Sequence, residues 1–286
     1  MSEVHRRCIL LACGSFNPPT IAHFRMMEAA RDELTRKGIT VIEGVYSPVS
    51  SSYRHKAHLV DDQHRLAMLQ LATAGSFMTA SSWEQQRGVW SRTVEVLEHH
   101  RESARRQFND ATLDCHLVAG GDLIDSFATV LPNGVPLWDK QDILRIVTDF
   151  GLVIISRDGS QPEKTLHTMV DLPLDKVHVI EDDAFPNVVS STRLRAAIAA
   201  NRSIAFCTHP TIVEYIGKHG LYKKTSNGSN GTAGQQKGVG PASSAKNGAG
   251  HTNDANQNGA GLNNRHKNGE ESVNGVQNSD RPANGN

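Results

Sequence analysis

The chain has 286 residues, which exceeds the usual size of one domain and predicts either two units or one domain with a tail. Lys and Arg together number 30, as do Asp and Glu, so no net positive charge marks nucleic acid as a partner. No apolar run approaches the roughly 20 residues of a membrane helix, and the four cysteines lack the spacing of zinc sites or disulfide scaffolds. We therefore expect an intracellular protein that binds neither nucleic acid nor membranes.

The first 223 residues alternate short β-rich runs with amphipathic segments. In chain order the predicted elements are a strand at Ile9–Cys13, a helix at Ile21–Lys37, a strand at Thr40–Tyr46, a helix at Asp61–Leu71, a short strand at Phe77–Ala80, a helix at Val89–Phe108, a strand at Leu113–Ala119, a helix at Asp139–Thr148, strands at Leu152–Ser156 and Val177–Ile180, and helices at Thr192–Ala200 and Pro210–Lys218. This alternation predicts the α/β class, a Rossmann-like, doubly wound parallel sheet with helices on both faces. The adjacent His99 and His100 are expected on a solvated helix face.

The last part of the chain, residues 224–286, has a different composition. It contains no aromatic residue and no methionine, and Asn, Gly, Ser, Ala and Gln dominate it. Such a segment cannot bury enough apolar surface to offset the roughly 1–2 kcal/mol per residue that ordering the backbone costs. The sequence therefore predicts a catalytic or binding domain at 1–223 and a disordered tail at 224–286.

The segment Gly14–His23 joins the first predicted strand to the first predicted helix. Gly14 permits a close backbone approach or a positive φ, and Thr20 suits the helix N-cap. His23 then falls in the first helical turn, where free N–H groups and the helix dipole favour anions. The segment is either a phosphate site with a histidine donor or an ordinary capped strand–helix junction.

A second segment of this kind, Ser190–Arg195, opens the helix that follows the strand at Val177–Ile180. Hydroxyl groups at the helix start, with Arg195 one turn further on, suit an anion. Alone, the sequence Ser-Ser-Thr-Arg is equally a good N-cap. Ligands of doubly wound sheets bind beyond the carboxyl ends of the strands, and two such segments there are typical of a polyphosphate site.

Both segments resemble signatures of the nucleotidyltransferase superfamily. Residues 14–23 match G-x-F-x-P-x-T-x-x-H, and Ser190-x-Thr192-x-x-Arg195 matches the second signature. Between and after them, further stretches resemble the eukaryotic nicotinamide/nicotinate mononucleotide adenylyltransferases: Trp83-Glu84, Trp90-Ser91-Arg92-Thr93, Gly120-Gly121-Asp122-Leu123, Leu137-Trp138 and Val213-Glu214-Tyr215-Ile216. The likeness covers roughly Cys8 to Tyr222, in order, and excludes the tail.

The resemblance implies transfer of the adenylyl group of ATP to nicotinamide or nicotinate mononucleotide, with Mg²⁺ held mainly by the substrate phosphates. The ATP-binding residues it implies are Gly14, Ser15, Phe16, His23, Gly120, Asp122, Asn187, Ser190, Thr192 and Arg195. The mononucleotide-binding residues it implies are Ser15, Phe16, His55, Lys56, Trp90, Thr93, Leu137 and Trp138. His23 and Arg195 are the implied catalytic pair, since they would stabilise charge on the phosphates.

The sequence also departs from this family. His55 stands where relatives carry a phosphate-contacting lysine, so that contact falls to His55 or Lys56. The long insertion that some relatives carry before the strand at Leu113–Ala119 is absent. We expect a cytoplasmic or nuclear rather than mitochondrial protein, and the sequence leaves homo-oligomerisation open.

Three alternatives remain at this point. The first is a related transferase of the same fold that acts on pantetheine phosphate, a cytidylyl substrate or a flavin, against which the paired tryptophans argue. The second is a nucleotide sensor or chaperone-like protein without turnover, against which His23 and Arg195 argue. The third makes the tail an assembly module that carries the function, and deletion of residues after Lys223 would test it.

Overall fold

The computed structural model describes residues 6–52, 59–156, 159–169, 172–182 and 189–223, and within these ranges it contains six β-strands and nine α-helices. The strands are β1 Arg6–Gly14, β2 Ile39–Pro48, β3 Met78–Ala80, β4 Asp114–Gly120, β5 Leu152–Ser156 and β6 Val177–Glu181. The helices are α1 Ile21–Arg36, α2 Asp62–Thr73, α3 Trp83–Arg87, α4 Thr93–Gln107, α5 Gly121–Asp125, α6 Lys140–Arg145, α7 Pro162–Thr168, α8 Ser191–Ala199 and α9 Pro210–His219. No helix among these residues is both long and apolar enough to cross a bilayer.

The strands form one sheet in the order β3-β2-β1-β4-β5-β6, and every neighbouring pair is parallel. The chain first builds outward from β1 to β3 and then returns to add β4, β5 and β6 on the other side. The point at which the direction reverses lies between β1 and β4. In doubly wound sheets the ligand binds beyond the carboxyl ends of the strands at this point. The predicted Rossmann-like parallel sheet is confirmed.

The two faces of the sheet bury two separate apolar cores. In β1, Cys8 and Leu10 pack on the side that α1 covers, whereas Ile9 and Leu11 pack on the side that α4 covers. Because both faces are buried, β1 is apolar throughout its middle rather than alternating with polar residues. This continuous apolar run is the sequence pattern that predicts the strand.

Most predicted elements lie within two or three residues of the observed ones, and the long helix predicted at Val89–Phe108 is the clearest difference. The helix α4 begins only at Thr93, and a separate short helix, α3, precedes it. Gly88 ends α3 with a φ of +65°, a left-handed conformation that glycine adopts without steric strain. The short helices α5 and α7 were not predicted.

The prediction of a solvated face for His99 and His100 is wrong. His100 is buried, and burial lowers its pKa to about 4. The ring of His99 stacks on the indole of Trp83, with ring centres 4.2 Å apart. The tryptophan of α3 therefore covers the first half of α4, which the isolated helix pattern could not reveal.

Candidate active site

The candidate site lies at the carboxyl edge of the sheet, where β1 and β4 end side by side. Leu11 lies opposite Leu117 in this parallel pair, so Gly14 and Gly120, three residues further along each strand, end at the same edge. The loops after these two glycines lead directly into α1 and α5. The predicted ATP residues that follow β1 and those that follow β4 therefore belong to adjacent loops.

The loop after β1 is held in a strained conformation by Phe16. Phe16 has a φ of +45°, and its side chain is buried between the rings of Tyr46 and His23, at ring-centre distances of 5.4 Å and 5.2 Å. A Cβ atom on Gly14 would lie 3.1 Å from the Phe16 ring. The close approach expected at Gly14 is thus made by Phe16, and Phe16 can offer a ligand only its backbone.

The side chain of His23 is oriented by the start of its own helix. The backbone N–H of the N-cap residue, Thr20, donates to His23 Nδ1 over 3.0 Å. This bond makes Nδ1 the acceptor and assigns the proton of the neutral ring to Nε2. The hydroxyl of Tyr46 donates to the backbone carbonyl of His23 at 3.0 Å and fixes the same turn. The result is an oriented N–H donor at the N-terminus of a helix.

The start of α8 docks onto the loop that carries His23. The Ser191 hydroxyl donates to the carbonyl of Pro18 over 2.8 Å, and Arg195 Nη1 donates to the carbonyl of Asn17 over 2.7 Å. The structure therefore brings together the two segments that the sequence places about 170 residues apart. Each segment contributes a helix N-terminus, which favours anions.

The polar side chains of α8 are ordered among themselves. Ser190 is the N-cap, and its side chain accepts the backbone N–H of Arg193 at 3.3 Å. Arg195 Nη2 donates to the hydroxyl of Thr192 at 3.3 Å. Thr192 is exposed, and Arg195 is partly exposed. These hydroxyl and guanidinium groups are therefore accessible to a ligand while their positions are fixed.

One residue that supports this site was missed by the sequence analysis. Arg65, in α2, has no solvent exposure. Its guanidinium donates to the backbone carbonyls of Ser15 at 2.9 Å, Val49 at 2.6 Å and Val60 at 2.9 Å. Burial lowers the pKa of this guanidinium. Arg65 thus ties the loop after β1 to the ends of two other segments, and it acts as a positioning residue.

A second buried charged group lies next to the end of β2. Glu84, the second residue of α3, is 2 % exposed and accepts the Ser47 hydroxyl at 2.7 Å. Burial raises the pKa of Glu84 to about 7, and the opposing effects of the Ser47 hydrogen bond and of Arg65 are smaller. The resemblance singled out Trp83-Glu84 without assigning a role, and the structure bonds this carboxyl to Ser47, one residue before the end of β2.

Two of the residues predicted to bind the mononucleotide, Trp90 and Thr93, lie at or just before the start of α4. Trp90 is 49 % exposed in the segment before the helix, and Thr93 is its first residue. Arg92 Nη1 bonds both carboxylate oxygens of Asp142 in α6, at 2.9 Å and 3.1 Å. Since Trp138 lies just before α6, this ion pair links the segments that carry the two predicted tryptophans.

Trp138 is packed more tightly than Trp90. Its indole N–H donates to the Ser126 hydroxyl at 3.0 Å, and its ring meets Phe127 edge-on with centres 4.8 Å apart. The preceding Leu137 is exposed, and its backbone N–H donates to the carbonyl of Thr129 at 2.9 Å. One edge of the Trp138 indole is therefore fixed by protein contacts.

The residues predicted to hold the ribose and adenine of ATP lie at the end of β4. Gly120 is the N-cap of α5, and Asp122 is exposed in its first turn. A Cβ atom on Gly121 would lie 2.4 Å from Ser160 Oγ and 2.8 Å from its Cβ. Gly121 therefore allows α5 to approach the segment before α7, and this approach positions Asp122 at the edge.

Three predicted site residues, His55, Lys56 and Asn187, lie outside the described residues, and their roles stay predictions. No group of three or more His, Cys, Asp or Glu side chains suited to a metal ion occurs in the described part of the chain.

Comparison with known proteins gives consistent matches. Residues 11–197 match the model of the cytidylyltransferase-like family. The chain is 43 % identical over 222 residues to nicotinamide/nicotinic acid mononucleotide adenylyltransferase 2 of Caenorhabditis elegans, covering 77 % of this chain and 99 % of the relative. It is 36 % identical over 218 residues to the Arabidopsis thaliana nicotinamide/nicotinic acid mononucleotide adenylyltransferase, covering 75 % and 89 %.

A solved structure supports the fold independently. The Plasmodium falciparum nicotinic acid mononucleotide adenylyltransferase complexed with NaAD superposes with a TM-score of 0.55 at 21 % identity, covering 76 % of this chain and 98 % of the other. At this identity the likeness concerns the fold alone, and it agrees with the doubly wound sheet described above.

Proposed function

Because this chain belongs to the family of nicotinamide/nicotinic acid mononucleotide adenylyltransferases, we propose that it transfers the adenylyl group of ATP to nicotinamide mononucleotide. The products are NAD and pyrophosphate, and nicotinate mononucleotide gives deamido-NAD in the same way. The observation that carries this function is the docking of Ser191 and Arg195 onto the loop of His23. This contact builds a polyphosphate cradle from two helix starts.

The nucleophile is the 5′-phosphate of the mononucleotide, which is already an anion at neutral pH and needs no general base. One of its oxygens forms a bond to the α-phosphorus of ATP as the bond to the β-phosphate oxygen breaks, and pyrophosphate leaves with that electron pair. The task of the protein is to align the two phosphates and to stabilise the negative charge that spreads over them.

His23 and Arg195 carry the stabilisation in this proposal. The Thr20 N–H occupies His23 Nδ1, so Nε2–H is the nitrogen that donates to the ATP phosphates. Arg195 provides a permanent charge while one of its nitrogens stays bound to the Asn17 carbonyl. Because both donors are oriented before substrate binds, little reorganisation is needed at the moment of reaction.

The remaining ATP contacts follow from the position of each group at the carboxyl edge. Ser190 and Thr192 at the start of α8 hold the β- and γ-phosphates. Gly120 and Asp122 hold the ribose and the adenine side, at the end of the neighbouring strand. Gly14 and Ser15, with the backbone of Phe16, form the floor on which the two nucleotides meet.

The pyridine ring binds between Trp90 and Trp138. A flat, electron-poor pyridinium stacks favourably on the electron-rich face of an indole. Thr93 contributes its hydroxyl or its backbone N–H at the start of α4. Leu137 contributes its backbone carbonyl, because its N–H is already bonded to Thr129.

Magnesium belongs to this reaction as part of the bound ATP. Mg²⁺ keeps several waters and binds readily through substrate phosphates, so a site built of hydroxyls, a guanidinium and an imidazole suits the complex. When bound, Mg²⁺ neutralises part of the phosphate charge. The contribution of the chain is the orientation of the phosphates by His23, Thr192 and Arg195.

The test is NAD formation from ATP, Mg²⁺ and nicotinamide mononucleotide, read through a coupled dehydrogenase, for the wild type and for His23→Ala. We expect product from the wild type and a fall in kcat of roughly two orders of magnitude or more in the variant. His167→Ala is the matched control, because His167 is an exposed histidine in α7 whose ring bonds the Glu163 carbonyl of the same helix, and it should keep wild-type turnover.

Two results would overturn the proposal. No product with either the amide or the acid mononucleotide would favour a related transferase with another substrate. Full activity in His23→Ala would remove the phosphate-stabilising role of this residue, and with it the argument from the docked helix starts.

A further inference from the structure

A cluster of polar residues lies at the opposite, amino-terminal edge of the sheet, on the face that α1 covers. Side chains alternate between the two faces of a strand, so a residue two positions before a core residue points to the same face. Three strands carry a polar residue at such a position near their start. The pairs of polar residue and core residue are Arg6 and Cys8 in β1, His116 and Val118 in β4, and His178 and Ile180 in β6.

A cavity of about 590 Å³ opens at this place, within the size range of small-molecule sites. Its basic and imidazole lining is Arg6, Arg7, Lys37, Lys176, His116 and His178. Lys37 is the C-cap of α1, at the far end of the helix from His23. The cavity is therefore separate from the candidate active site.

The charged groups that line this cavity lie close to its two imidazole rings and affect their pKa values. Lys37 Nζ lies 2.8 Å from His178 Nδ1, and the rings of His178 and His116 are stacked with centres 6.3 Å apart. Burial is the main cause that lowers the pKa of His116 to about 4, and Asp114 opposes it while Lys176 and Arg6 act in the same direction as burial. Burial and Lys37 also lower the pKa of His178, so both imidazoles are neutral near pH 7.

His116 also lacks a hydrogen bond that its burial demands. The residue is 5 % exposed, and its Nδ1 has no partner among the described residues. Its ring packs directly on Gly151, where a Cβ atom would lie 2.5 Å from His116 Cδ2. Buried polar atoms are almost always paired, but this nitrogen is itself closed off from the cavity, so His116 is a fixed part of the cavity wall rather than a direct hydrogen-bonding contact.

Carboxylates pair with three of the four cationic side chains that line the cavity, and Arg7 pairs with Asp110 at 2.9 Å. Lys176 pairs with Asp114 at 3.5 Å, and Lys37 pairs with Glu33 at 3.3 Å. Asp175 also lines the cavity. Arg6 forms no ion pair with any residue that the structure describes. Arg6 therefore keeps a guanidinium without an ion pair, and each paired lysine still has further N–H donors; both kinds of donor suit phosphate oxygens.

We propose that this cavity is a second, non-catalytic anion site that binds a small phosphorylated molecule through Arg6, Lys37 and Lys176. The ligand lies against His116 and His178 and pairs with Arg6, which has no ion pair among the described residues. The phosphate chain is the recognised group, whether it is free or part of a nucleotide. Because the cavity is at the other edge of the sheet, this binding is independent of the phosphate cradle at His23.

The experiment is calorimetric titration of the full chain with tripolyphosphate, in a His23→Ala/Arg195→Ala background that weakens binding at the candidate active site. We expect one remaining site, with an affinity that falls by about tenfold or more when Lys37→Ala and Lys176→Ala are added, because charge-assisted hydrogen bonds are lost. Lys164→Ala with Lys218→Ala is the matched control: it removes two charges from exposed positions in α7 and α9 and should leave the affinity within twofold.

The absence of a remaining site, or an equal weakening in both lysine pairs, would overturn the proposal. A second measurement needs no lysine variant: the imidazole resonances of His116 and His178 should shift on addition of tripolyphosphate while that of His209 does not. Unchanged resonances at saturation would also overturn it. Repeating the titration with ADP distinguishes a free phosphate chain from one that is part of a nucleotide. Either tighter ADP binding or equal affinity supports a phosphate site at this edge.

Discussion

The guanidinium of Arg65 donates a hydrogen bond of 2.9 Å to the backbone carbonyl of Ser15, 50 residues earlier in the chain. The same group also holds the carbonyls of Val49 and Val60. One fully buried side chain thus fixes three backbone segments around the loop that leads to His23. A planar guanidinium can direct donors to three acceptors at once, which an ammonium cannot do with the same geometry.

Arg65→Lys is therefore expected to fold but to position the loop after β1 poorly. We expect kcat to fall by about tenfold or more, because small displacements of aligned groups reduce the rate strongly. Arg65→Met should lower the free energy of unfolding by about 3 kcal/mol or more, since it leaves three partly buried carbonyls without this donor. Urea unfolding and the coupled assay check both. Arg36→Lys, at an exposed position, serves as the control, and equal effects in the two lysine variants would contradict the role of Arg65.

The sequence predicted the sheet because its central strands are continuous apolar runs that both cores require. It also predicted the two phosphate segments, because glycine, hydroxyl and basic residues follow strands immediately and open helices. Arg65 could not be found in this way. A single arginine in an amphipathic helix is typical of an exposed residue, and only the tertiary contacts with Ser15, Val49 and Val60 bury it.

The position of the Phe16 side chain could not be predicted from the sequence for a related reason. The signature places Phe16 in the floor of the site, but its φ of +45° turns the ring into the core against Tyr46. Nothing in the local sequence specifies a positive φ for a phenylalanine, because this strained conformation persists only where the surrounding structure enforces it. The backbone role was predictable from the motif, and the packing role was not.

Glu84 predicts a specific dependence of stability on pH. Its pKa is raised from 4.5 to about 7 in the folded protein, so its contribution is fully present below about pH 4.5 and is lost as the pH rises through about 7. Glu84→Gln keeps an acceptor for Ser47 and removes the titration. Between pH 4.5 and 8, the free energy of unfolding of the wild type should fall relative to that of the variant by roughly 3 kcal/mol.

Urea titrations at several pH values measure this difference. Glu163→Gln replaces an exposed carboxylate in α7 and is the control for the general effect of removing a charge. Parallel pH profiles for the wild type and Glu84→Gln would show that Glu84 ionises in the folded state as it does in the unfolded chain, contrary to the expectation.

Gly121 predicts a steric effect that a second substitution can relieve. In Gly121→Ala the new methyl group would overlap Ser160, and we expect a loss of about 1–3 kcal/mol in stability together with a higher KM for ATP. Ser160→Gly removes both overlapping atoms and should restore most of the loss in the double variant. Gly217→Ala is the control, because space is open at that helical position in α9, and alanine should be neutral or stabilising there. Equal losses in the single and double variants would rule out the overlap as the cause.

Substitutions of Trp90 and Trp138, the two tryptophans proposed to flank the pyridine ring, should affect substrate binding and stability differently. Trp90 is half exposed, so Trp90→Ala should raise the KM for the mononucleotide by about tenfold or more, as expected for lost stacking, while stability changes by about 1 kcal/mol or less. Trp138 packs on Phe127 and donates to Ser126, so Trp138→Ala should raise KM and also lower the free energy of unfolding by about 2–4 kcal/mol. Trp138→Phe keeps an aromatic ring but loses the hydrogen bond, and its KM for the mononucleotide should return most of the way to the wild-type value.

Steady-state kinetics with varied mononucleotide measure KM, and urea unfolding measures stability. If Trp90→Ala changed stability while leaving KM unaltered, the indole would be a packing residue, and the pyridine would have to bind elsewhere along the carboxyl edge.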